Sequence, residues 1–347
     1  MPTAYPTRFE NLLDLARLPW FGVRDGRLVV EDPTVPLAVD LHTHLALSYV
    51  LPNRVDLLRA SPRTEHYLPT DRPLDFGVYA NRNFMHDDLS RMERDLALGS
   101  LTAGGMRATH TVPNLLREMG ELRIANAVLL PIDFPALSDN AGAWLRAAAG
   151  RAPLIGFGSV HPAVRNPGAA LDRQIALGAR GIKVHPAVQL VRPDSAWAMR
   201  LYAACGARGL PVFFHCGPVD IEPLLGRYLS QVRWYERAVA ENPDTVFVLG
   251  HSGAMQLEEA LRLVARYPNV WVETSSQSLQ SVRRILAEAP ADRIMHGSDW
   301  PFYHQAMSLA KVFLATDQDT RARHAELYGN AARLLGLPAD PAAVTRP

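Results

Sequence analysis

Eight short apolar runs, each bounded by Gly, Pro or Asp, constrain the fold of this chain more than any other feature. They are 37–41 (LAVDL), 127–131 (AVLLP), 154–159 (LIGFGS), 181–185 (GIKVH), 211–215 (PVFFH), 246–251 (VFVLGH), 270–274 (VWVET) and 293–298 (RIMHGS). Runs apolar on both faces suit parallel strands buried between an inner core and an outer layer of helices. Helical patterns over 169–177, 197–207, 224–240, 256–266 and 279–289 fill the gaps between the later runs, and turn residues stop them before the next strand. A strand-plus-helix unit repeated eight times predicts an α/β chain folded as a (β/α)8 TIM barrel. A doubly wound open sheet is the alternative, but no glycine fingerprint of a dinucleotide site follows the first run.

One gap breaks the rhythm. Residues 45–126 are too many for a strand-to-strand connection, and they join a Pro-, Arg- and aromatic-rich stretch to a helical one, 82–100. We read 1–347 as a single barrel domain with a long insertion after the first strand, at about 45–126, acting as a lid or helical subdomain over the strand ends.

Thirty-six Lys and Arg balance 35 Asp and Glu, a net charge of +1, so no excess field recruits nucleic acid or a membrane surface. A small-molecule substrate is the expected partner. Two cysteines, Cys205 and Cys216, cannot staple a fold. The N-terminal stretch lacks a basic start followed by an apolar core, and no run of about 18 apolar residues occurs, which predicts a cytoplasmic protein. A homodimer is the default expectation for an enzyme of this size.

Polar side chains gather where the runs end: His42 and His44, Lys183 and His185, His215, His251, and Asp299. Barrel enzymes build their sites at those ends. In Asp40-Leu41-His42-Thr43-His44 the two imidazoles are two residues apart, and the period of a strand sends both to one side. Such a pair can chelate one ion. A third histidine and a carboxylate complete a nitrogen and oxygen shell that Zn²⁺, Fe²⁺ or Mn²⁺ accepts. Cys216 follows His215 and points to the opposite side of its strand. His161, His296, His66, His86 and His110 are read as lying outside the centre, the last three as solvated residues in or beside the insertion.

With DLHTH at 40–44, GIKVHP at 181–186, FFHCG at 213–217, LGHSG at 249–253, GSDWP at 297–301 and GNAARLLGL at 329–337, the chain resembles the amidohydrolase superfamily, in its amidohydrolase-2 branch. The resemblance spans roughly 37–338, apart from the insertion. It implies His42, His44 and His215 as metal ligands and Asp299 as both ligand and catalytic acid–base. His251 would be catalytic in one-metal members and a ligand in two-metal members. Lys183 would be a carbamate bridge if two ions bind, although the KVHP form is closer to the mononuclear branch; His185 would support the ligands by hydrogen bonding. One divalent ion, zinc first, is the expected cofactor.

The implied chemistry is hydrolysis of an amide, lactone, ester or carbon–carbon bond in a small organic substrate, by water that the metal activates. The alternative from the same branch is a non-oxidative decarboxylase of an aromatic or unsaturated acid. That reaction needs an arginine fork for the carboxylate, with Arg192 and Arg233 as candidates. A non-catalytic barrel that uses the insertion to bind a partner is a third reading, and it leaves the buried imidazoles without a reason. Substrate selection is expected from the insertion and from 187–194, 217–222 and 274–278.

Overall fold

The computed structural model describes residues 5–49, 51–134 and 137–339. Two short pairings flank the main sheet: β1 (Arg8–Phe9) runs antiparallel to β5 (Leu74–Asp75), and β2 (Phe21–Arg24) forms a hairpin with β3 (Arg27–Val30). Every apolar run contains strand. They are β4 (Ala38–Thr43), β6 (Ile124–Leu129), β7 (Leu154–Gly156) with β8 (Gly158–Ser159), β9 (Ile182–Val184), β10 (Val212–His215), β11 (Phe247–Gly250), β12 (Val270–Glu273) and β13 (Ile294–Met295).

All of these pair in parallel, in two sheets rather than one continuous ladder. One has the order β13-β12-β11-β10-β9-β8 and the other β4-β6-β7. The run at 154–159 changes partner at Phe157: its amide donates to Leu129 O (3.0 Å), while the next amide, of Gly158, donates to Gly181 O (2.8 Å). At the other junction Leu41 N donates to His296 O (3.0 Å) and Asp299 N to His42 O (2.8 Å), and Thr43 and Trp300 form an isolated parallel bridge.

Alternation along the strands divides the core. Ile182, Val184, Val212, Phe214, Cys216, Leu249 and Val272 face the helices in one apolar cluster. Phe213, Val248, Trp271 and Met295 pack inward with Val39, Val128 and Ile155, and with Tyr328 and Leu335 near the chain's end. Cys216 therefore lies on the helix side, as the strand period predicts, and burial pushes its thiol well above the usual range.

Helices Pro167–Ala176, Ala196–Gly206, Leu257–Arg266 and Leu279–Glu288 fall where the periodicity places them. The 224–240 pattern is instead broken into Leu224–Leu229 and Tyr235–Glu241, with a 3₁₀ turn at Val232–Trp234 between them. Ser230 sits at the break and its hydroxyl donates back to Gly226 O (2.9 Å), a bond that competes with helix continuation. Among the described residues of 45–126 lie two α-helices, His86–Leu98 and Val112–Glu121. Apolar residues of this stretch (Leu47, Leu57, Leu68, Met92, Leu115) pack in one cluster with Leu15, Trp20, Leu309 and Phe313, so its packing is shared with the chain's start and with helix Gln305–Ala315. Among the described residues no helix is long and apolar enough to cross a membrane.

Candidate metal centre

The strand ends deliver their polar side chains to one cavity of about 370 Å³, whose lining includes His42, His44, Lys183, His185, His215, His251 and Asp299. Register explains the convergence. Lys183, Phe213, Val248 and Trp271 are successive partners across β9 to β12, and His215 pairs with Gly250 one level further along. Lys183 thus stands in a row of apolar residues, its ammonium 4.6 Å from the Phe213 ring centre. Burial brings its pKa down to about 7, against the opposing pull of the Asp299 and Glu273 carboxylates.

The loops past the strands are shaped to hold the site. Asp299 has φ +65°, a left-handed conformation that Asp tolerates better than most residues. Asp40 secures that turn: its fully buried carboxylate accepts from the Ser298 amide (2.9 Å), the Ser298 hydroxyl (2.5 Å), the Gln305 amide group (2.7 Å) and the His42 amide (3.1 Å). Burial pushes the Asp40 pKa up to about 6 despite these bonds. Gly217 of FFHCG, with φ +84°, lies against the loop after β11, and a Cβ there would sit 1.9 Å from Gly253 O. No other residue type fits.

His42, His44 and Asp299 form a candidate ligand group, one ligand atom from each lying within 4.8 Å of the others. His44 Nδ1 is 2.8 Å from Leu130 O, which can only accept, so Nδ1 carries the proton and Nε2 keeps its lone pair. His42 Nδ1 is likewise committed, 2.8 Å from Glu273 Oε1. The two Nε2 atoms face Asp299 Oδ1 at 3.5 Å (His42) and 3.2 Å (His44). Two imidazole lone pairs and a carboxylate oxygen aimed at one another repel unless a cation or a proton lies between them. Lys183 Nζ reaches His42 Nε2 at 3.3 Å, and among the described residues it forms no ion pair with Asp299 within 4 Å. Burial raises the Asp299 pKa, with His44 opposing.

His215 lines the same cavity, and its Nε2 is buried with no hydrogen-bond partner. Its ring stacks on that of His185, 3.9 Å between centres and 7° between planes. Burial, helped by neighbouring cationic groups, holds the His42, His185, His215 and His251 pKa values well below the ordinary imidazole value, so all four are neutral and able to offer a lone pair. His251 is engaged on both nitrogens: Nε2 is 3.2 Å from His215 Nδ1 and Nδ1 is 2.7 Å from Ser275 Oγ. His251 lines the cavity as expected, and one ligand atom from each of His42, His251 and Glu273 lies within 4.8 Å of the others.

Neither candidate arginine lines the cavity. The Arg192 fork is closed on Asp194 (2.7 and 2.8 Å) and its guanidinium lies over the Trp234 ring. Arg233 is exposed on that ring and on Tyr228. His66 and His110 are buried rather than solvated, and only His86 of the three is exposed. Glu273, the last residue of β12, is fully buried beneath His42. The sequence does not single it out, because VWVET reads as a strand running into its turn with Glu273 and Thr274 as ordinary polar end residues. Leu47, Tyr79 and Met92 of the insertion, with Leu190, Ile221 and Ser276, line the walls from the expected stretches, whereas Phe302 and Tyr303, past β13, come from outside them.

A separate buried group joins His66, Glu118 and His304 within 4.8 Å, on a different cavity. There His304 Nδ1 accepts from the Ala306 amide (3.2 Å), so its Nε2 carries the proton and faces Glu118 as a donor. Glu118 also receives Trp300 Nε1 (2.9 Å) and the Thr64 hydroxyl. Glu118 thus ties the loops carrying Thr64 and Trp300 to helix Val112–Glu121 by hydrogen bonds.

The amidohydrolase family profile matches residues 39–337. No curated protein matches. Among solved structures, an uncharacterised TIM-barrel protein from Bordetella bronchiseptica is 18% identical with TM-score 0.60, covering 86% of this chain and 98% of that one. A 2,6-dihydroxybenzoate decarboxylase from Rhizobium is 18% identical (TM-score 0.56; 87% and 99% covered). An amidohydrolase from Burkholderia multivorans with bound zinc is 17% identical (TM-score 0.56; 87% and 100% covered).

Proposed function

The chain belongs to the amidohydrolase family, and from that footing we propose that it is a metal-dependent hydrolase of a neutral, largely apolar carbonyl compound such as a lactone, ester or amide. We read the two sheets as arcs of one eight-stranded barrel, a reading supported by the backbone bonds at both junctions and the likeness to a TIM-barrel structure. The observation that carries the proposal is the meeting of His42 Nε2, His44 Nε2 and Asp299 at the cavity floor. These three, with His215 Nε2 in reserve as an unpartnered buried lone pair, would hold one divalent ion; zinc suits a nitrogen and oxygen set of this kind, and a zinc-containing likeness exists. When bound, such an ion supplies Lewis acidity that polarises a carbonyl and acidifies water near neutral pH.

The chain's own residues do the rest. Asp299 accepts the proton of the attacking water and returns it to the leaving group. His185 Nδ1 takes the Val188 amide (3.3 Å), so its Nε2 carries a proton, and the ring lines the cavity, where it can donate to a developing oxyanion. Both nitrogens of His251 are committed, which favours one ion over two and leaves Lys183 a partly neutral amine rather than a carbamate bridge.

Wall chemistry favours hydrolysis over the decarboxylase alternative. The substrate would lie against Leu, Ile, Met and Phe side chains, with the Glu93 and Glu222 carboxylates also on the wall, and an acidic substrate would be repelled by them. The test offers the zinc-loaded protein neutral lactones, aryl esters and anilides beside aromatic carboxylic acids. Hydrolysis of a neutral member, falling about 10²–10⁴-fold in Asp299→Asn with folding intact, is the expected result. Carbon dioxide release from an acid, with every neutral compound untouched, would overturn it.

A further inference from the structure

We propose that Glu273 is a positioning residue that sets the tautomers of three histidines at once, directly at His42 and, through Ser275, along a line to His251 and His215. The inference rests on the metal-centre reading for its purpose, but its wiring is read from hydrogen bonds alone.

Each Glu273 oxygen receives a backbone amide: His251 N on Oε1 (2.6 Å) and Ser275 N on Oε2 (2.7 Å). As a carboxylate it can only accept, so the remaining groups on Oε1, His42 Nδ1 at 2.8 Å and Ser275 Oγ at 2.7 Å, must both donate. The Ser275 hydroxyl has one proton and spends it there. Its oxygen, 2.7 Å from His251 Nδ1, is then an acceptor, which places the proton of neutral His251 on Nδ1. His251 Nε2 is left with a lone pair and accepts from His215 Nδ1 at 3.2 Å. The line ends at His215 Nε2, a lone pair buried without a partner. Reversing any member puts two acceptors or two donors face to face inside the protein, where an unmade bond costs about 1–3 kcal/mol.

Two branches of unequal length therefore lead from one carboxylate to two Nε2 lone pairs. His44, oriented by Leu130 O, is independent of both and serves as the internal control. In metal ligation the partner of the second ring nitrogen fixes which nitrogen is free, and here one side chain performs that task for ligands on two strands.

The test is long-range ¹H–¹⁵N correlation on histidine-labelled, metal-free protein at neutral pH, which distinguishes Nδ1–H from Nε2–H rings. Wild type is expected to show Nδ1–H at His42, His44, His215 and His251. Ser275→Ala is expected to release His251 and His215 into mixed tautomers and leave His42 and His44 unchanged. Glu273→Gln, whose amide group presents a donor to the Ser275 amide, is expected to disturb His42 as well, with His44 still fixed. Zinc affinity, read by competition with a chromophoric chelator, should fall about 10–100-fold in each variant. An Nε2–H ring at His215 in wild type, or unchanged tautomers in both variants, would overturn the inference. Tautomers that follow this pattern in a wild type that binds no zinc would uphold the wiring and sink the metal-centre reading instead.

Discussion

Replacing Lys183 with Met removes a buried ammonium while keeping a side chain of similar length, and its effect can be worked through from the structure. Lys183 stands in the row with Phe213, Val248 and Trp271 and is buried, with a pKa brought down to about 7 from an ordinary 10.5. A folded-state pKa below the unfolded one means that the unfolded chain binds more protons between pH 7 and 10.5. Wild-type stability contributed by this group is therefore fully present above pH 10.5 and is lost as pH falls through 7. Between pH 7 and 9 the folded lysine loses its remaining half proton while the unfolded one stays protonated. At about 1.36 kcal/mol per pH unit the wild type gains roughly 2 kcal/mol over that interval, and Lys183→Met does not.

Lys311, also buried with a pKa near 7, contributes equally to both proteins and cancels in the difference. Urea unfolding of metal-free protein in chelator, without bicarbonate, at pH 7, 8 and 9 gives the two profiles. Met should be the more stable variant at pH 7, with the gap closing by roughly 2 kcal/mol at pH 9. Parallel profiles would refute the claim that burial has neutralised this lysine.

Acidification should destabilise the metal-free protein. Burial lowers the pKa of His110 to about 3 and those of His296 and His304 to about 4, so the stability of holding them neutral is present above pH 6.5 and lost as pH falls toward those values. Each should cost on average about 1 kcal/mol per pH unit in unfolding free energies measured between pH 6.5 and 5, and a flat response there would contradict their burial. Gly217→Ala should cost on the order of 3 kcal/mol, from the positive φ and the collision with Gly253 O. Thermal unfolding would reveal it, and a neutral outcome would show that the two loops can part freely.

The parallel strands and most helices were legible in the sequence because burial on both faces writes a continuous apolar run, and helical burial writes a period that stops at Pro, Gly or Asp. The break near Ser230 was not, since no Pro or Gly stands at 230–234 to mark it. The place of 45–126 was half legible. Its length marks it as more than a connection, but its sharing of a cluster with Trp20 and Phe313 depends on segments far away in the chain.

For the site, the sequence by itself determined which residue types stand at the strand ends, and the two-residue spacing of His42 and His44 placed them together. Tertiary structure alone decided which groups each one meets. Parallel register put Lys183 in an apolar row and sent Glu273, which reads as an unremarkable strand residue, beneath His42. Loop conformation engaged both nitrogens of His251 and closed the Arg192 fork on Asp194. The physical reason is that residue chemistry and strand period are local properties of the chain. The proton position on an imidazole is set by whichever donor or acceptor packing brings within 3 Å, and for His42 that partner lies 231 residues away.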